Sequence, residues 1–215
     1  MKREPINDWA DWYRAYDDPA SSLSRRLTVV RQRIGETLDD LAGRNAARIV
    51  SLCAGDGRDL LPELATRPAV AADVVLVELD PVLAAAARRH VDDLTLSGVD
   101  VRTADAGRAA SWADAVPVDL LLLCGIFGNV SQEDIAATVA AVPSVLAPGG
   151  FVIWTRGRFA GGLDLRPVIR RWFVDAGAEG IAFDGEPESF GVGVNRLVGP
   201  PATSPPPERL FEFIR

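Results

Sequence analysis

The spacing of apolar residues along the chain changes near residue 46. Before that point Trp9, Trp12, Tyr13 and Tyr16 recur at i, i+3, i+4 and i+7, the period of one helix face. The stripe stops at Asp17-Asp18-Pro19. Asp18 has the chemistry of an N-cap and Pro19 that of a first helical residue, which predicts a second helix starting there. Leu23, Leu27, Val30, Ile34, Leu38 and Leu41 then keep three- and four-residue spacings up to Gly43, so this helix has an apolar face that must pack on something downstream.

Beyond residue 46 short apolar runs alternate with helical segments, the pattern of repeated βα units and a mostly parallel sheet. Strands are predicted at Ile49 to Cys53, Val74 to Glu78, Val99 to Arg102, Leu120 to Cys124 and Phe151 to Thr155. Asp80-Pro81 opens a helix running to about Val91. Ser131, with Asp134 three residues later, resembles a capping box opening one that runs to about Leu146. A last helix spans Leu165 to Ala176. Gly180 to Phe183 and Gly191 to Val198 then read as an antiparallel strand pair at the sheet edge, and the proline-rich Pro200 to Pro207 as an ordered crossing loop. The expected organisation is a helical cap over residues 1–45 and an α/β core over 46–215.

Composition narrows the partners. The chain has 215 residues, enough for a full hydrophobic core without disulfides or metals. Its net charge of -7 lacks the concentrated basic surface that nucleic acid requires. The opening segment is charged and aromatic where a signal peptide needs an apolar run, and the longest apolar stretches are strand-sized, so neither a secretion signal nor a membrane span is expected. Cys53 and Cys124 form no CxxC pair, which points to a reducing cytoplasm, and no metal-ligand cluster is visible. Arginine replaces lysine everywhere after Lys2, a mark of a GC-rich bacterial genome more than of a function.

The chemistry concentrates at strand ends. The first strand runs into Cys53-Ala54-Gly55-Asp56-Gly57 and then a predicted helix. This small-residue turn sits at the carboxyl edge of the sheet, and its glycines allow close approach of a ligand. Glu78 ends the second strand 21 residues after Gly57, where an acid can accept hydrogen bonds from both hydroxyls of a ribose; Asp80 competes for that role but has an alternative one as N-cap before Pro81. A dinucleotide fingerprint wants glycine at position 60, where Leu60 stands. Asp105 follows the third strand, and Cys124-Gly125-Ile126-Phe127-Gly128-Asn129 the fourth.

With these four motifs in this order, residues 46 to 199 resemble the class I S-adenosylmethionine-dependent methyltransferases. The resemblance implies a three-layer αβα Rossmann-like fold whose seven-stranded, mostly parallel sheet has an antiparallel last strand, matched here by Gly191 to Val198. It implies that Cys53 to Gly57 contact the methionine part of S-adenosylmethionine. Glu78 then holds the ribose, Leu79 lies against the adenine, and Asp105 with the Ala106 N–H receives the adenine amino group. Cys124 and Gly125 pass under the sulfonium. Ser51 departs from the family's usual Asp or Glu and Cys53 from its first glycine, which puts in question the usual carboxylate near the cofactor's amino group.

On the acceptor side the residues leave alternatives open. Tyr16 can face the site from the end of its aromatic helix, or the stripe can be a packing face. Arg156 can bind an anionic group of a small-molecule acceptor or stabilise its own loop. Asn129 can orient a nucleophile or simply shape a turn. His90, the one histidine, falls near the end of the helix after the second strand and is read as a helix-end residue favoured by the macrodipole. An acceptor needing little base help, such as an amine or carboxylate, is therefore expected, or a base drawn from Tyr16, Asp17 or water. Two other readings share the turn and Glu78: a catalytically degenerate cofactor-binding protein, and a nicotinamide-dependent oxidoreductase, against which Leu60 and Asp105 speak.

Overall fold

A computed structural model describes residues 15–158 and 162–214. Trp9, Trp12 and Tyr13 lie outside the described residues. Seven strands form one sheet: β1 (Ala47–Leu52), β2 (Ala72–Glu78), β3 (Val99–Thr103), β4 (Val118–Leu123), β5 (Leu146–Gly157), β6 (Ala178–Glu186) and β7 (Phe190–Leu197). Their order is β3-β2-β1-β4-β5-β7-β6. β7 runs antiparallel to both its neighbours and the other strands share one direction. The reversal between β1 and β4 is the switch point at which an open parallel sheet leaves a crevice at its carboxyl edge.

Alternation along the strands sorts the core into two layers. On one face Ile49, Val74, Leu76, Leu120, Leu122 and Ile153 pack against α1 (Ser22–Leu41), α2 (Leu61–Ala65) and α3 (Pro81–Asp93). On the other, Val50, Leu52, Leu121, Leu123, Val152 and Trp154 pack against α4 (Gln132–Ala141) and α5 (Arg166–Asp175). The apolar face of α1 is carried by Val30, Ile34, Leu38 and Leu41, all buried, so this helix is one wall of the sandwich.

Several boundaries differ from the sequence expectation. Ser21, not Asp18, caps α1, its hydroxyl accepting the Ser24 N–H at 3.0 Å. Asp18 instead closes a turn by accepting the Ala20 N–H, so Pro19 precedes the helix. The segment after Gly57 forms a turn through Leu60 before α2, which has only five residues. α4 stops at Ala141 because Pro143 cannot donate to a helical ladder, and β5 starts already at Leu146. The two final strands do pair, but β7 is threaded between β5 and β6, leaving only β6 at the edge.

That insertion rests on small residues. Trp154 of β5 lies in register with Gly193 of β7, and its fully buried indole donates to Asn195 Oδ1 at 2.9 Å. A Cβ on Gly193 would come within 2.3 Å of the Trp154 ring. Gly193→Ala is expected to lower unfolding free energy by about 1–3 kcal/mol through overpacking, read as a fall in the urea midpoint at unchanged m-value.

Candidate active site

The parallel register of β1, β2 and β4 brings the motif residues to one edge. Leu52 pairs with Val77, and Ser51 with Leu122, so the ends of all three strands are level. The turn after β1 carries three left-handed residues, Cys53 at φ 55°, Gly55 at 58° and Gly57 at 73°. Glycine adopts this conformation freely, whereas at Cys53 it strains the backbone by about 1–2 kcal/mol.

Two side chains hold the turn from outside. The Glu78 carboxylate accepts the Gly55 N–H at 2.8 Å with one oxygen and the Asp80 N–H at 2.8 Å with the other. Burial raises its pKa, and the backbone donors only partly oppose that. Asp80 is the N-cap of α3, its Oδ1 accepting from Val82 and Leu83, so the two acids at the tip of β2 have separate tasks. The second holding group is His90. Its Nδ1 lies 2.9 Å from the Asp56 carbonyl oxygen, and because a carbonyl only accepts, Nδ1 carries the proton. His90 thus braces the turn from α3, a role beyond the helix-end one expected and undetectable from spacing because its partner is a backbone atom 34 residues away.

Asp105 follows β3, whose ladder continues through the Ala104 N–H to the Glu78 carbonyl. Its carboxylate accepts the Gly107 N–H at 2.9 Å and an Arg209 N–H at 3.2 Å. Ala106 is buried and its carbonyl accepts the Trp112 indole N–H. Leu79, which follows β2, is 55% exposed. After β4, the Gly125 N–H donates to Thr155 Oγ1 and the Gly125 carbonyl accepts from Asn129 Nδ2, both at 2.8 Å, while Arg156 donates to the Phe127 carbonyl. Asn129 and Arg156 are thus both engaged with the loop after β4. A Cβ built on Gly125 would meet nothing within 4 Å.

Cys53 and Cys124 are free thiols on adjacent strand ends, and they belong to opposite faces of the sheet. Burial raises the pKa of both and keeps them neutral. The charges felt by each divide the edge in two. The charges of Glu78 and Asp105 act on Cys53, whereas those of Asp59 and Arg26 act on Cys124. On the latter side the Arg58 guanidinium lies 4.7 Å over the Tyr16 ring and pairs with Asp56, and Tyr16 receives a hydrogen bond from Arg26 at 3.2 Å. Asp59, outside the four motifs, has its pKa pushed up to about 6 by burial.

A family model described as a methyltransferase domain matches residues 49–150. Over that stretch the chain is similar to the methyltransferase-domain family. Solved methyltransferase structures share its fold. Magnesium protoporphyrin IX methyltransferase from Synechocystis PCC 6803 with bound SAM superposes with a TM-score of 0.65 at 12% identity, over 89% of this chain and 91% of that one. Burkholderia thailandensis 1,6-didemethyltoxoflavin-N1-methyltransferase, with 1,6-didemethyltoxoflavin and S-adenosylhomocysteine bound, gives 0.58 at 16%, over 90% and 85%. A SAM-dependent methyltransferase from Aquifex aeolicus gives 0.54 at 14%, over 77% and 89%. The comparison with curated protein sequences returns no match.

The raised pKa of Asp59 has a signed consequence. Its unfolded value is near 3.8 and its folded value about 6, so between these the folded chain holds a proton that the unfolded chain has lost. Stability therefore falls as pH rises from about 4 to 6 and the Asp59 contribution is level above that. Asp59→Asn is expected to remove this part of the slope, measured by urea unfolding of both proteins at pH 5 and pH 7.5.

Proposed function

We propose that this methyltransferase passes the methyl group of S-adenosylmethionine to a small-molecule acceptor bound at the carboxyl edge of the sheet. The observation that carries the reading is the gathering of the Cys53 to Gly57 turn, Glu78, Asp105 and Cys124-Gly125 at one edge, ordered along strands β3-β2-β1-β4. The residues present fit the cofactor. Glu78 is fixed by two backbone N–H groups and keeps lone pairs for the ribose hydroxyls. Leu79 offers an exposed apolar face to the adenine, and Asp105, steadied by Gly107 and Arg209, an acceptor for its amino group beside the Ala106 backbone. The open space over Gly125 suits a sulfonium passing above Cys124. When bound, the cofactor supplies a methyl group activated for in-line displacement.

The chain's own part is to hold an acceptor nucleophile near that methyl and to keep water out, which needs a separation of roughly 3 to 3.5 Å. In this reading the turn at Ala15–Asp17 covers the site through Tyr16, while Asn129 and Arg156 fix the loop after β4 as its floor. His90 is committed to Asp56, so an acceptor that needs little base assistance, an amine or a carboxylate, fits best. The net charge of -7 argues against a nucleic-acid acceptor, among the described residues no helix is long and apolar enough to cross a membrane, and two free thiols suit a reducing cytoplasm.

Thermal unfolding with S-adenosylmethionine, S-adenosylhomocysteine, NAD or NADP in large excess tests the reading. Ligand at about a hundred times its dissociation constant adds roughly 2.7 kcal/mol, and a midpoint rise of several degrees with the two sulfur nucleosides alone is expected. A rise with NAD or NADP instead would overturn it. Glu78→Ala is expected to weaken S-adenosylhomocysteine by about tenfold or more in a calorimetric titration, since hydrogen bonds to a charged group contribute about 1.5–3 kcal/mol each. Unchanged affinity would remove Glu78 from the ribose.

A further inference from the structure

After β7 the chain returns to the carboxyl edge of the sheet. β7 runs antiparallel to β5 and so ends at the opposite edge, where the Ala202 N–H donates to the Pro143 carbonyl; farther on, Thr138 of α4 donates to the Leu210 carbonyl. Residues 208–210 then dock antiparallel on the loop after β3. The Ala109 N–H donates to the Glu208 carbonyl at 2.9 Å, and the Leu210 N–H to the Gly107 carbonyl at 2.8 Å. A side chain at position 107 would collide with the Phe211 carbonyl, so the two segments meet without a spacer. This backbone pairing fixes where the Arg209 side chain starts. Its guanidinium donates to Asp105 Oδ2 at 3.2 Å and to the Phe211 carbonyl at 3.3 Å.

The Asp105 carboxylate is thus held at both oxygens. Oδ1 accepts the Gly107 N–H at 2.9 Å, Oδ2 accepts from Arg209, and the Arg108 guanidinium stands 3.6 Å from Oδ2. Of the two arginines Arg209 is the nearer and the more sheltered, with 35% of its side chain exposed against 57% for Arg108. A carboxylate has about four acceptor positions, so each oxygen keeps one for a ligand. Strand order decides which part of a nucleoside meets them. Asp105 lies one strand beyond Glu78, because the Ala104 N–H continues the β2–β3 ladder to the Glu78 carbonyl. The β1 turn bonds to the Glu78 carboxylate from the other side, which leaves the β3 side, with exposed Leu79 and Asp105, for the base of a nucleoside whose ribose Glu78 holds.

Resting on the methyltransferase reading, we propose that Arg209 is a positioning residue for the cofactor's base: from the C-terminal strap it fixes the Asp105 carboxylate so that it accepts the 6-amino group of adenine and rejects a 6-oxo purine. An amino group brings a donor to the carboxylate, whereas an oxygen at the same position brings one acceptor against another. A carboxylate free to rotate escapes that repulsion and discriminates less. One pinned at both oxygens cannot, and the pin on Oδ2 comes from a residue at the far end of the chain.

The test is calorimetric titration of the full chain with S-adenosylhomocysteine and with S-inosylhomocysteine, which carries an oxygen in place of the 6-amino group. The wild type is expected to prefer the adenine compound by about tenfold or more, the usual contribution of a hydrogen bond to a charged group. Asp105→Asn, which can turn either a donor or an acceptor to the base, should bring the two affinities within about threefold of each other. Arg209→Gln is expected to lower the preference by at least about threefold, whereas Arg209→Lys, which keeps a charged donor, should retain most of it. A purely structural role for Arg209 would weaken both compounds equally. An unchanged preference in Arg209→Gln would therefore overturn the assignment, as would an equal loss of preference in Arg209→Lys. A wild type that binds both compounds equally well would remove Asp105 from the base, and this assignment with it, while leaving the cofactor in place. A wild type that binds neither would overturn the methyltransferase reading itself.

Discussion

The carboxyl edge depends on one carboxylate reaching between strands. Glu78 belongs to β2, yet its side chain takes the Gly55 N–H of the turn that follows β1, and so ties the second strand to the most strained backbone in the site. The turn cannot hold itself: it alternates left-handed and ordinary residues, and at Cys53 the left-handed conformation has no glycine to ease it. Glu78 from one side and His90 from the other supply the fixed points. The arrangement is costly, because burial outweighs the backbone donors and raises the Glu78 pKa. A ligand that brings hydroxyl donors to the same carboxylate relieves part of that cost. The group that preorganises the turn is therefore also the one with most to gain from a ribose.

Electrostatic division of labour follows from the strand order. Acids on the β2 and β3 side are steadied by backbone N–H groups and by Arg209, which leaves them acceptors of fixed direction suited to hydroxyl and amino donors. On the β4 side the charges are side chains that meet one another: Arg58 on Asp56 and over Tyr16, and Arg26 on Tyr16.

The strands, the Asp80 cap and the level of the four motifs were legible in the sequence because they depend on local pattern: apolar runs of strand length, an acid before proline, glycines where φ is positive. What escaped depends on partners far along the chain. Nothing local distinguishes Ser21 from Asp18 as the cap of α1, since both are good capping residues and only the downstream fit of Val30, Ile34 and Leu38 against the sheet fixes the register. The threading of β7 between β5 and β6 is written in Gly193 and Asn195, whose meaning appears only once Trp154 lies across from them. The raised pKa of Asp59 has no local signature, because it follows from burial in the folded chain.

The C-terminal segment extends the same logic to the acceptor side. After the prolines, Arg209 bridges to Arg108, and Phe213 to Val130. Between them the Leu210 N–H donates to the Gly107 carbonyl, and Thr138 donates to the Leu210 carbonyl. The fit is close enough that a Cβ on Gly107 would fall 2.2 Å from the Phe211 carbonyl oxygen, and Phe211 itself is buried in the core. One strap thus spans the loop carrying Asp105 and, through the Ile214 N–H to the Asn129 carbonyl, the loop carrying Asn129. Irregular segments at strand ends are ordinarily the least stable part of an α/β fold. Tied to each other by a shared strap, these two can hold their geometry without lengthening either strand.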